Sequence, residues 1–81
     1  MDFPAKFKAI RKAERLTQKE LCELLDFSES TFRKYEGGFI EVGAPALLKI
    51  ANHERFKRYA LWLITGDTAP ACGQISPDMR L

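Results

Sequence analysis

Three observations predict an all-α chain, a compact domain of five short helices. Apolar residues recur at helical spacing almost from the start: Phe3, Phe7, Ile10 and Ala13 form one stripe, closed by Leu16. Helix start and stop signals bracket short segments, most clearly Thr17-Gln18-Lys19-Glu20 at one start and Gly37-Gly38 and Gly66 at two ends. No run alternates apolar and polar residues with the period of two that a half-buried strand needs.

The first helix is expected over residues 3–15, with Asp2 and Pro4 suited to its start. The second opens on Thr17, whose hydroxyl can take one orphan N–H while Glu20 reaches back to another. Leu21, Leu24 and Leu25 form its apolar face. Asp26-Phe27 breaks that pattern, and Ser28 offers a new N-cap for a third helix ending at Glu36. A loop with Phe39, Ile40 and Val42 follows. Pro45 suits the first turn of a fourth helix with Leu47, Leu48, Ile50 and Ala51 on its core face, ended by Asn52-His53. The fifth is expected over 55–65, stopped by Gly66. Residues 1–66 thus form the domain. Residues 67–81, with two prolines and a glycine among small residues, read as a weakly ordered, flexible C-terminal tail.

Bulk properties narrow the classes. Apolar residues make up 46% and charged residues 30% of the 81, which fits a folded domain rather than a disordered one. A chain this short buries only ~60–65% of its unfolded surface, so its core has little to spare. No segment is long or apolar enough to cross a bilayer, and no cleavage pattern of a signal peptide follows the N-terminal lysines. Cys22 and Cys72 do not make a disulfide framework, and neither has zinc-ligand neighbours. A reducing cytoplasm is the expected location, with no metal, no cofactor and no small-molecule ligand. His53, the lone histidine, is read as a polar helix end. No His/Asp/Ser grouping and no glycine-rich phosphate loop suggests an enzyme.

Two short helices joined by a three- or four-residue turn make a helix-turn-helix. On a wheel of ~100° per residue the third helix separates into two sides. Ser28, Thr31, Phe32 and Tyr35 fall on the packing side; Glu29, Ser30, Arg33 and Lys34 fall on a side that is wholly polar. Such a side suits entry into a major groove about 12 Å wide, although any amphipathic helix has one. The basic residues cluster too: Lys6, Lys8, Arg11, Lys12, Arg15 and Lys19 early in the chain, then Arg55, Lys57 and Arg58. Clusters of this kind attract polyanions, though they are equally the solvated faces of helices.

The run from Leu16 to Gly37 resembles the helix-turn-helix of the phage repressor and Cro type, the Xre-like family. Thr17-Gln18 opens the second helix, Cys22 stands midway along it, Ser28 starts the third and Glu36-Gly37-Gly38 ends it; Trp62-Leu63-Ile64-Thr65-Gly66 looks like the family's closing helix. The resemblance spans about residues 7–66. Cys22 replaces the usual small alanine, and Asp26 stands where a turn glycine is common. Glu41 stands in a slightly long loop where family members often carry a basic residue.

The resemblance implies a double-stranded DNA partner with a near-palindromic operator, and a transcriptional repressor. Gln18 and Lys19 would sit at the start of the second helix, Gln18 touching phosphate or buttressing Glu29. Glu29, Ser30 and Lys34 would face bases, Arg33 would lie beside them, and Ser28 would reach the groove edge. Arg11 and Glu36 match the family's buried pair between its first and third helices.

A homodimer is expected from the fifth helix itself. Phe56, Tyr59, Ala60 and Leu63 fill one face, while Leu61, Trp62 and Ile64 lie off it, and Leu61 and Trp62 are candidates for the dimer interface. The alternative is a monomer in which the tail over residues 69–77 folds back over Trp62. The competing reading is an antitoxin or adaptor acting through protein contacts, which would expose apolar residues on the third helix.

Overall fold

The computed structural model describes residues 2–80. Among them are five α-helices: α1 (Phe3–Ala13), α2 (Gln18–Leu25), α3 (Glu29–Glu36), α4 (Ala44–Asn52) and α5 (Ala60–Thr65). Local chemistry sets most of the boundaries. The Asp2 carboxylate accepts from the Ala5 N–H at 3.0 Å to start α1. At α2 both halves of the capping box form: the Glu20 N–H donates to Thr17 Oγ1 at 3.1 Å, and the Thr17 N–H donates to Glu20 Oε1 at 2.9 Å. Asp26 ends α2 in the left-handed region at φ 56°, and Ser28 caps α3.

α1 stops two residues short of the expected Arg15. Arg15 takes φ 58°, and the Leu16 N–H turns back onto the Arg11 carbonyl at 3.1 Å. This reversal points Leu16 at the core and delivers Thr17 to the start of α2.

The core is a cluster of Phe7, Ile10, Leu21, Cys22, Leu25, Phe32, Ile50, Phe56, Tyr59 and Leu63. Phe7 and Phe32 stack at its centre with ring centroids 6.0 Å apart, and Phe27 of the α2–α3 turn packs on Phe32 at 6.1 Å. Cys22 fits as a small apolar side chain between α2 and α3, and burial pushes its thiol pKa up, so it stays neutral.

Three expectations need correction. Leu48 is 58% exposed and Ala46 is buried in its place, while Ile50 lies in the core as expected. The fifth helix does not begin at Arg55. A 3₁₀ turn over Lys57–Tyr59 precedes α5, and the tighter winding eclipses residues three apart, so that Phe56 and Tyr59 both enter the core.

The third correction concerns the tail after Gly66, which packs on the body. Ala69 and Gln74 exchange backbone hydrogen bonds at 2.8 and 3.1 Å, and the Ile75 N–H donates to the Arg58 carbonyl at 2.9 Å. The Gln74 side chain accepts from the Leu61 N–H at 3.0 Å and donates to the Lys57 carbonyl at 3.0 Å. It satisfies an amide that the first turn of a helix leaves unpaired. Ser76 and Pro77 are buried.

Candidate nucleic-acid interface

α2 and α3 are joined by the three residues Asp26, Phe27 and Ser28. Phe32 turns inward and is fully buried, with Tyr35 half-buried on the same side. The opposite side carries Ser30, Arg33 and Lys34 in solvent, with Glu29 half-buried beside them. Arg33 is the hub of this face: it donates to Glu29 Oε1 at 2.7 Å and to Gln18 Oε1 at 3.3 Å. Gln18 therefore reaches Glu29 only through Arg33. The hydroxyls of Ser28 and Ser30 lie 3.1 Å apart, and Lys19 is exposed on the first turn of α2. The structure thus brings Gln18, Glu29 and Arg33 into one network, with Ser28 and Ser30 paired nearby and Lys19 and Lys34 extended into solvent.

A second arginine fixes how α3 is held. Arg11 of α1 donates from Nε to Glu36 Oε2 at 3.0 Å and from Nη2 to Oε1 at 2.8 Å, while Nη1 donates to the Leu16 carbonyl at 3.0 Å. The Glu36 side chain is 5% exposed and that of Arg11 15%. The hydrogen bonds to Glu36 raise the guanidinium pKa against the opposing effect of burial. The two-pronged contact locks the C-terminal end of α3 to α1 and to the chain leading into α2.

The sequence reading missed another buried charge. Glu14 is 2% exposed at its side chain and accepts from Tyr59 Oη at 2.6 Å, Arg55 Nε at 2.9 Å and Arg80 Nε at 3.1 Å. Burial pushes its pKa up, but the hydrogen bonds from Tyr59, Arg55 and Arg80 outweigh that and hold it below its ordinary value. Burial, then the bond to Glu14, drive the Tyr59 pKa up. A signal was present: Glu14 continues the spacing Phe3, Phe7, Ile10 and so lies on the apolar stripe of α1.

These contacts correct the basic clusters. Lys6 is buried, donating to the carbonyls of Trp62 and Leu63 at 3.0 Å each, where it caps the end of α5. Arg11 and Arg55 are engaged by Glu36 and Glu14, and Lys57 pairs with Glu54 at 3.2 Å. Lys8, Lys12, Arg15, Lys19 and Lys34 are exposed and carry no ion pair among the described residues. The apolar residues of α5 outside its core face differ in exposure. Leu61 and Trp62 are half-buried, with the Lys6 ammonium 5.4 Å above the Trp62 ring, whereas Ile64 is 55% exposed.

Two short helices packed across a tight turn, the second clamped from behind and polar in front, define a helix-turn-helix DNA-binding domain. Residues 3–58 match the family model described as a helix-turn-helix domain, and the chain belongs to that family. Repressor protein C of Escherichia phage P2 is 32% identical over 68 residues, which cover 84% of this chain and 69% of that protein. No helix among the described residues is long and apolar enough to cross a membrane.

Proposed function

We propose that this protein is a sequence-specific transcriptional repressor that reads the major groove of duplex DNA with α3 and binds a near-palindromic operator as a homodimer. The observation that carries the reading is the outward face of α3, where Glu29, Ser30, Arg33 and Lys34 stand without an apolar residue among them. An adaptor helix would present apolar anchors there. The likeness to Repressor protein C of phage P2 supports the regulatory sense.

Each side chain has a chemical role. Lys34 carries no ion pair among the described residues and can donate to guanine O6 and N7, and Glu29 can accept from a cytosine amino group. Arg33 is held by Glu29 in an exposed pair worth only about 0.3–0.5 kcal/mol, so it can exchange that partner for a base or phosphate at small cost. Gln18, Lys19 and Ser28 flank the groove, near the N–H groups at the start of α2 that favour a phosphate. Dimerisation sets two reading helices about one DNA turn apart. Leu61 and Trp62, together with the exposed Ile64, supply the apolar surface for it.

Selection from a random duplex pool followed by footprinting tests the reading. Wild type should recover one inverted-repeat site and protect both halves. Recovery of no preferred sequence defeats the proposal. Sedimentation at micromolar concentration should give a dimer that dissociates in Leu61→Glu or Trp62→Ala; a wild-type monomer that binds a single half-site excludes the dimer.

A further inference from the structure

The reading helix ends in a turn that presents an aromatic ring. Gly38 takes φ 77°, its N–H donates to the Tyr35 carbonyl at 3.2 Å, and the Phe39 N–H donates to the Lys34 carbonyl at 2.9 Å. This is the Schellman pattern, in which the residue after the left-handed glycine commonly packs on an apolar side chain in the helix's last turn. Here that last turn offers Lys34, and Phe39 is left 81% exposed.

Gly37 leaves room for the ring where it stands. Its φ of −82° suits any residue, so backbone freedom does not require a glycine. A Cβ at Gly37 would instead lie 2.7 Å from Phe39 Cε2 and 2.8 Å from Cδ2. The ring rests beside the bare backbone at the end of α3, where the Phe39 N–H also meets the Lys34 carbonyl.

We infer that Phe39 is a DNA contact, packing on the C5-methyl group of a thymine at the edge of the half-site, beside the base pair read by Lys34. The thymine methyl is the apolar group that a base pair offers in the major groove, and aromatic side chains can pack on it. The open groove beside the ring is lined by Phe3, Pro4, Ile40 and Val42, with the carboxylates of Asp2 and Glu41 at hand, so an uncharged apolar group suits it better than a phosphate, and a thymine methyl is such a group. The inference rests on α3 entering the major groove.

The test uses the full chain and a duplex recovered by wild type from the random pool, with each thymine replaced singly by deoxyuridine. Wild-type affinity, read by fluorescence anisotropy, should fall about fourfold at one or two adjacent positions, the worth of one buried methyl group. Phe39→Ala should lose a similar factor on the thymine duplex and nothing more on the deoxyuridine duplex. Thermal melting confirms that the variant folds. Additive losses at every position, or a Phe39→Ala that binds like wild type, overturn the inference. So does loss of self-association in Phe39→Ala, which would make the ring a protein anchor. If Lys34→Ala weakens binding while the methyl and Phe39 stay uncoupled, this inference alone falls. If wild type recovers no sequence, the reading of α3 falls with it.

Discussion

Two arginine–carboxylate pairs touch α3, and they differ in one respect that decides their use. Arg11–Glu36 lies behind the helix with side chains 15% and 5% exposed; Arg33–Glu29 lies in front, at 62% and 38%. Their shortest contacts are nearly equal, 2.8 and 2.7 Å. Behind the helix little water reaches the pair, so neither partner can leave without stranding a charge in a poor medium. In front, water competes for both groups, and the pair opens at little cost. One chemistry thus makes a permanent clamp on one side of the helix and an exchangeable contact on the other.

The largest effect expected from this contrast is on the clamp. Glu36→Ala should cost about 3–5 kcal/mol of stability by leaving Arg11 uncompensated. Thermal melting checks it, and an unchanged melting temperature would remove the distinction between the two pairs. Glu14 extends the buried side of the comparison through pH. Its pKa is lower folded than unfolded, where it sits near the ordinary value of about 4.3. Its contribution is therefore complete above that value and is lost as pH falls through the folded pKa. Between neutral pH and acid, wild type should lose stability more steeply than Glu14→Gln, which has no proton to take up at that position. Parallel pH profiles for the two proteins would show that Glu14 is not the linked group.

Smaller effects are expected on the exposed side. Lys34→Ala should leave the melting temperature alone and weaken specific binding by about 1–3 kcal/mol, the worth of a good base contact. Wild-type footprints from this variant would place the reader elsewhere. Glu29→Gln should also change stability little, within about 0.5 kcal/mol, because the pair is solvated. The same change removes a negative charge from the DNA-facing surface. Affinity for random-sequence duplex should then rise, and discrimination for the selected site should fall. If Glu29→Gln destabilises the fold as much as Glu36→Ala, the exposed pair is a clamp as well.

Features made by neighbours in sequence were the legible ones. The Thr17–Glu20 capping box and the split of α3 into an inward Phe32 and an outward Arg33 and Lys34 follow from groups three or four residues apart. The Glu14 site was hidden because its donors, Arg55, Tyr59 and Arg80, lie 41, 45 and 66 residues away. Lys6 was misplaced for a related reason. It reads as a surface charge until the end of α5, 56 and 57 residues on, supplies two carbonyls to receive its ammonium. The tail looked loose by composition, yet Gln74 answers backbone groups of Lys57 and Leu61 that no sequence pattern pairs with it.

By itself, then, the sequence determined where four of the five helices begin, which side of α3 turns inward, and that its outer side is polar. Hydrogen bonds within a turn and the apolar period of a helix decide those matters at short range. Only the tertiary structure decided which charges are engaged inside the protein and which remain for a partner. The free energy of a charged group depends on how much water distant parts of the chain remove and which partners they bring. Lys6, Glu14 and Arg11 end inside, while Lys19 and Lys34 remain in solvent.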